Sequence, residues 1–117
     1  MENQIHNLIK KAYEAFNSQD IKSAITTFHE NIEFQKEFNG NYLKNQNQII
    51  EHWTNGWKEF IVQDKPINII ERTDNKFEVL VHQIVKDKQG KLLSDGILKH
   101  IFTIQDNLLL RLDIELE

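Results

Sequence analysis

The sequence predicts a single α+β domain in which three helices and one strand are followed by four more strands. Up to about residue 60 most apolar residues recur at helical intervals of three and four, apart from one alternating segment after residue 31. From residue 66 onward apolar and polar residues alternate, and turn signals separate the runs. A length of 117 residues is typical of one compact unit, so the predicted domain spans residues 1–117.

The composition excludes several classes of protein. A content of 27% charged and 39% hydrophobic residues is too apolar for a disordered tail and too evenly mixed for a membrane protein. The net charge of −4 disfavours nucleic-acid binding, because such domains concentrate lysine and arginine on one face. The lack of cysteine excludes disulfides, thiolate nucleophiles and cysteine-ligated metals. With no targeting or membrane-spanning pattern, we expect a cytoplasmic protein.

Each predicted helix has one apolar stripe. The stripe of the first helix consists of Ile5, Leu8, Ile9, Ala12 and Phe16. The polar residues 17–20 end this helix, and Asp20 is expected to cap the short second helix. The third helix is predicted to begin at an N-cap formed by Asn45 or Asn47. Its apolar stripe consists of Ile49, Ile50, Trp53, Trp57 and Phe60.

The predicted strands begin after Asn31, where Ile32 and Phe34 share one face and Lys36 is an unexpected charge on it. Pro66 cannot donate to a sheet ladder and is expected at the start or the edge of the second strand. Runs 77–87 and 92–105 are predicted to form an antiparallel hairpin with the two-residue loop 89–90. A turn at 106–107 leads into the last strand, residues 108–116.

The two faces of the predicted hairpin differ. If Lys88 pairs with Lys91, one face is apolar apart from Gln83, Ser94 and His100. The opposite face mixes large aliphatic residues with charges. A sheet face exposed to water is usually polar, so these aliphatic residues predict that the second face is buried against another subunit.

Several segments together resemble the nuclear transport factor 2-like superfamily, and within it the SnoaL-like branch that includes the ketosteroid isomerases. The segments are Ala15 to Ile21, Phe28 to Phe34, Ile49 to Trp53 and Asp87 to Ile114. The resemblance implies a cone, in which a curved antiparallel sheet (a cystatin-like α+β roll) wraps around three helices and an apolar pocket opens at one end. It also implies a homodimer formed through the outer sheet face. Residues expected at that interface are His82, Ile84, Asp95, Ile97, Arg111 and Asp113.

The ketosteroid isomerases of this family use a carboxylate base on the first strand, with a helix tyrosine and a late-strand aspartic acid that stabilise the enolate oxygen. Matching the motifs places Ala12 at the tyrosine position, next to Tyr13. It places Lys36 at the base position, next to Glu37, and His100 at the aspartic acid position. All three positions depart from the family pattern. Because a lysine replaces a carboxylate base only with a strongly lowered pKa, ketosteroid isomerase activity is not expected.

The candidate catalytic residues are therefore His100 as proton donor or acceptor, Lys36 or Tyr13 to polarise a carbonyl, and Glu37 as a possible base. Expected ligand-binding residues are Phe34, Trp53, Trp57, Gln83, Ser94 and Phe102. Structural alternatives stay open: His100 as a core histidine bonded to Gln83 or to a backbone carbonyl, Lys36 extending its ammonium into water, and both tryptophans as core. If Lys36 and His100 face one cavity, the ligand is expected to be anionic or to carry a carbonyl.

Three functions fit the sequence. The first is a protein that binds a small, largely apolar ligand in the conical pocket. The second is an acid–base enzyme of the isomerase, cyclase or hydrolase type acting on a carbonyl compound. The third is a dimeric interaction module whose cone is filled by its own side chains. No metal-ligand spacing and no phosphate-binding glycine loop is present in the sequence, so no metal or cofactor is expected.

Overall fold

The fold consists of three helices packed on one face of a six-stranded sheet. The computed structural model describes residues 2–116, and the side chains of residues 4–116. The helices are α1 (Glu2–Asn17), α2 (Ile21–Ile25) and α3 (Gln46–Glu59). The strands are β1 (Phe28–Gln35), β2 (Tyr42–Leu43), β3 (Phe60–Glu71), β4 (Lys76–Asp87), β5 (Leu92–Gln105) and β6 (Leu108–Leu116). The predicted α+β class with three helices is confirmed.

The strand order is β2-β1-β6-β5-β4-β3, with β2 and β3 at the two open edges. The sheet is mixed and not antiparallel throughout, because β1 runs parallel to β6 while the other neighbours are antiparallel. β2 was not predicted from the sequence, since two residues are too few to show a strand period. The described helices include none that is both long and apolar enough to cross a membrane.

The second long strand begins earlier than predicted. β3 starts at Phe60, where the backbone leaves the helical region with φ −133° and ψ 154°, so α3 passes directly into the strand without a turn. Pro66 therefore lies within β3 and not at its start. The prediction that Pro66 lies at an edge is confirmed, and the pairing register of β3 shifts between Pro66 and Asn68. An edge strand tolerates proline because one side of it makes no ladder bonds.

The predicted register of the β4–β5 hairpin is confirmed over most of its length. Val79 pairs with His100, and Gln83 pairs with Gly96. The loop, however, spans residues 88–91 and not two residues, because the register shifts next to Val85. The Asp87 carboxylate accepts hydrogen bonds at 2.9 Å from the backbone N–H groups of two loop residues, which stabilises this longer turn.

The helix caps predicted at the ends of the elements are confirmed, as are the turns predicted at 74–75 and 106–107. Asp20 caps α2 by accepting from Ser23 N at 3.2 Å, and Asn45 caps α3 by accepting from Gln48 N at 2.8 Å. At 74–75 and 106–107 both residues have φ between 55° and 61°, as in the tight turns that join antiparallel strands. These caps and turns orient the elements around a core. Its fully buried aliphatic residues are Ile9, Ile32, Ile49, Val79, Val81, Leu109 and Leu112.

Candidate functional site

A cavity of about 410 Å³ lies between the helices and the sheet. It is lined by residues of α1, α3, β1, β3, β4, β5 and β6, together with residues that follow β1. The lining comprises Ala12, Tyr13, Phe16, Phe28, Phe34, Lys36, Glu37, His52, Trp53, Gly56, Trp57, Phe60, Val62, Asp64, Gln83, Val85, His100, Phe102, Leu109, Leu112 and Ile114. Eight of these residues carry a phenyl, phenol or indole ring, so aromatic side chains form a substantial part of the wall.

The polar lining residues fall into an inner and an outer group. Tyr13, Asp64 and His100 are buried. Lys36, Glu37 and His52 are exposed, which places them at the mouth of the cavity. Burial and the neighbouring Lys36 charge both lower the pKa of His52. The chemistry of the interior therefore depends on the inner group.

Tyr13 and His100 form a buried hydrogen-bonded pair. Tyr13 lies on α1 and His100 on β5, with 2.6 Å between the tyrosine oxygen and His100 Nδ1. Their rings are nearly parallel, 10° apart in plane. Burial lowers the pKa of His100 to about 4. Burial, followed by the charge of Asp64, raises the pKa of Tyr13 well above its ordinary value. Both groups are therefore neutral near pH 7.

A neutral tyrosine and a neutral imidazole have one O–H and one N–H proton between them. One of these protons lies in the bond between the two side chains. If the tyrosine donates it, the imidazole keeps its proton on Nε2; if the imidazole donates, the tyrosine O–H remains free. Neither group has a second hydrogen-bond partner among the described residues. In both arrangements the pair offers one hydrogen-bond donor to a ligand.

Asp64 is the buried acid of the cavity, and it was not among the residues predicted from the sequence. It lies on β3 with 7% of its surface exposed. Gln83 Nε2 donates to Asp64 Oδ1 at 3.0 Å. Burial raises the pKa of the Asp64 carboxyl to about 6, and the Gln83 hydrogen bond opposes that shift. Asp64 forms no ion pair with any described residue.

Asn17 at the end of α1 fixes the position of Asp64. Its Nδ2 donates to the Asp64 carbonyl at 2.7 Å, and its Oδ1 accepts from the Asp64 amide at 2.8 Å. β3 is an edge strand, so without Asn17 these two backbone groups would lack partners in the sheet. Asn17 lies four residues after Tyr13, on the same face of α1. One helix face therefore holds both the Tyr13–His100 pair and the Asp64 strand.

Most residues proposed from the sequence line this cavity. They are Tyr13, Phe34, Lys36, Glu37, Trp53, Trp57, Gln83, His100 and Phe102. Ser94 does not, because it lies at the exposed, irregular end of the hairpin, where it pairs with Val85. Strand alternation would place Glu37 on the face opposite Lys36. Both line the mouth, because β1 ends at Gln35 and strand alternation no longer applies.

The polar contacts also differ from those expected. Gln83 bonds to Asp64 and not to His100, whose partner is Tyr13. Asp64 was missed because it precedes the alternating segment, from residue 66 onward, in which the strand was predicted. In a strand that starts at Phe60, Val62 and Asp64 share a face by alternation, and this pattern would have identified the acid.

The similarity of this chain to known proteins lies in its fold. No family model matches the chain, and no curated protein matches its sequence. Among solved structures, TerC co-crystallised with polyporic acid superposes with a TM-score of 0.84 at 17% identity, covering 97% of this chain and 92% of TerC. A nuclear transport factor 2-like protein of unknown function from Burkholderia pseudomallei gives 0.82 at 12% identity, covering 97% and 91%. The chain has the nuclear transport factor 2-like fold.

A third neighbour, a candidate polyketide cyclase from Sinorhizobium meliloti, has a TM-score of 0.77 at 22% identity, covering 93% of this chain and 94% of its own. The predicted family resemblance is thus confirmed at the level of fold. Because proteins with one fold catalyse unrelated reactions or none, the nuclear transport factor 2-like fold does not assign a function. That assignment depends on the residues of the cavity.

Proposed function

We propose that the protein binds a small, largely apolar molecule in the cavity, with the polar end of that molecule at Tyr13, His100 and Asp64. The observation that carries this proposal is an aromatic cavity of about 410 Å³ with these three polar groups buried in its wall. Ligand sites typically have roughly this volume and few polar groups. The same volume argues against a cone filled by its own side chains. Co-crystallisation of the structural neighbour TerC with polyporic acid supports a small-molecule role.

Tryptophan resonances provide a local test of binding. The chain has two tryptophans, and both line the cavity. We expect 1-tetralone, a neutral bicyclic ketone, to shift the indole N–H signals of Trp53 and Trp57 saturably in NMR titrations. Gly56→Leu should abolish these shifts, because Gly56 lines the cavity and a Cβ there meets no atom within 4 Å.

Asn55→Leu is the matched control, since Asn55 is the exposed neighbour of Gly56 on α3 and does not line the cavity. Mass spectrometry of small molecules released from the purified protein tests the same proposal without a chosen probe. The absence both of saturable indole shifts and of a co-purifying molecule would count against ligand binding.

Acid–base catalysis on a carbonyl compound is the second candidate function, and Asp64 favours it. A carboxyl group with a pKa of about 6 is mostly ionised at neutral pH and can accept a proton. The Tyr13–His100 pair can donate a hydrogen bond to the carbonyl oxygen. Asp64 would then take a proton from the carbon next to the carbonyl, the C–H electrons would form an enolate, and the pair would stabilise the enolate oxygen. Asp64, deeper than Glu37, is the better placed base.

Deuterium exchange distinguishes an enzyme from a binding protein. For an enzyme, the protein should accelerate exchange of the α-protons of 1-tetralone in D2O, and Asp64→Asn should remove most of the acceleration. Tyr13→Phe and His100→Ala should reduce it. Exchange at the uncatalysed rate, together with saturable binding of 1-tetralone, would leave binding as the function.

We also propose that the protein forms a homodimer through the outer sheet face. Ile84 and Ile97 lie half-buried on that face, next to the hydrogen bond between His82 and Asp95. Arg111 adds a second polar cluster, with hydrogen bonds to Glu33 and Asp113. Large aliphatic side chains beside partly exposed charge pairs are typical of protein interfaces.

A further inference from the structure

Among the described residues, the Asp64 carboxylate has no positively charged partner inside the cavity. Its one side-chain hydrogen bond among the described residues is the 3.0 Å contact from Gln83 to Oδ1. Lys36 lines the same cavity, but at its exposed mouth. His100 lies in the interior, but it is neutral near pH 7 and therefore carries no positive charge. A buried charge is costly unless a partner of opposite sign offsets the loss of water. A positive charge beside the Asp64 carboxylate would therefore stabilise it.

The walls of the cavity that holds this carboxylate carry several aromatic rings. The Asn17 hydrogen bonds hold Asp64 against the end of α1, where the preceding residue, Phe16, lines the cavity. The Phe16 ring packs against Trp53 at 4.9 Å and against Trp57 at 5.7 Å between ring centroids. Aromatic faces carry partial negative charge and attract cations, and tryptophan does so most strongly.

We propose that the ligand of this cavity is a protonated amine on an apolar, ring-sized body, and that the Asp64 carboxylate binds its ammonium group. This inference rests on the proposed ligand-binding function and specifies the charge of the ligand. It reverses the expectation of an anionic ligand, because an anion would bring a second negative charge next to an unpartnered carboxylate in a medium of low dielectric constant. A hydroxyl or keto oxygen on the same ligand would accept a hydrogen bond from the Tyr13–His100 pair, donated by the free Tyr13 O–H or the His100 Nε2–H group.

Three probes of one shape test the sign of the charge: 2-aminotetralin, 2-tetralol and tetralin-2-carboxylate. We expect the amine to bind at least tenfold more tightly than the alcohol in calorimetric titrations at neutral pH, and the carboxylate more weakly than the alcohol. Asp64→Asn should remove the preference for the amine and change alcohol binding less than twofold. Glu59→Gln, an equal change of charge at an exposed residue of α3 that does not line the cavity, should leave the preference intact.

Two outcomes would overturn the inference while leaving ligand binding in place. One is alcohol binding without preference for the amine. The other is a preference for the amine that survives Asp64→Asn. If none of the three probes binds and none shifts the indole signals, the inference fails, whereas the proposed function is decided separately by 1-tetralone and by co-purifying molecules.

Discussion

Asp64 and His100 affect stability in opposite directions as the pH falls. Burial raises the Asp64 carboxyl pKa from 3.8 to about 6, so the folded state holds this proton more tightly than the unfolded chain. Stability therefore rises as the pH falls through this range. Burial lowers the His100 pKa from 6.5 to about 4, so the folded state resists protonation and stability falls. Each shift corresponds to about 3 kcal/mol, and the two contributions nearly cancel.

Asp64→Asn should separate these two contributions. The substitution removes a buried carboxylate but keeps an oxygen that can accept from Gln83. At neutral pH we expect the variant to be more stable than the native protein by up to about 3 kcal/mol. Near pH 4 the native carboxyl is protonated when folded, so the advantage should shrink below about 1 kcal/mol. Urea unfolding of both proteins across this range measures the difference, and a difference independent of pH would contradict the assigned shift.

The two tyrosines of the chain provide a matched test of the Tyr13–His100 bond. Tyr13→Phe leaves the Nδ1 atom of buried His100 without its partner, which should lower the free energy of unfolding by about 1–3 kcal/mol. Tyr42→Phe removes the bond from the Tyr42 hydroxyl to Asp113, but water can reach that half-buried site. Its cost should stay below about 1 kcal/mol. If urea unfolding shows that Tyr13→Phe and Tyr42→Phe lose the same free energy of unfolding, the buried pair contributes no more to stability than the half-buried bond.

Between elements, Asn17 links α1 to the edge strand β3 with two hydrogen bonds. Asn17→Ala should destabilise the fold by about 1–3 kcal/mol and accelerate hydrogen exchange of the Asp64 amide, because that donor loses its acceptor. Gln63→Ala is the control, since Gln63 also bonds to Asn17 but through a long, exposed contact of 3.3 Å. An Asp64 amide that remains protected in Asn17→Ala would show that another group positions β3.

Elements with local signals were predictable from the sequence. The caps at Asp20 and Asn45 depend on neighbouring residues, and the β4–β5 register follows from alternation on both strands. The parallel pairing of β1 with β6 is a long-range contact without a local pattern. The start of β3 was missed because no turn residue separates it from α3.

The same distinction applies to the candidate site. His100 was identified because it interrupts the apolar face of the hairpin and matches a functional position of the resembled family, and Tyr13 because it is next to the position that the resemblance assigns to a tyrosine. Asp64 was hidden, since its burial depends on where β3 begins and on Asn17, a residue 47 positions earlier. Its contact with Gln83 likewise joins two strands. Side-chain pairs between distant elements follow from packing and cannot be read from one segment alone.

At the scale of the whole molecule, β4 and β5 contribute side chains to both faces of the sheet. Gln83 and His100 line the cavity, whereas the neighbouring residues His82, Ile84 and Ile101 belong to the opposite face by alternation. A partner subunit on the outer face would therefore restrain the strands that carry two polar groups of the cavity. The same two strands, β4 and β5, would then form part of both the proposed dimer interface and the cavity wall.

Ile97→Lys tests the dimer. Ile97 pairs with His82 in the middle of the outer face, and a lysine buried there against a second copy would cost several kcal/mol. In sedimentation velocity we expect the native protein to be dimeric and the variant monomeric, with similar dispersion of their NMR spectra. Ile67→Lys is the control, because Ile67 is 53% exposed on β3 at the edge of the sheet. A native protein that sediments as a monomer, or a dimer unaffected by Ile97→Lys, would exclude this face as the interface.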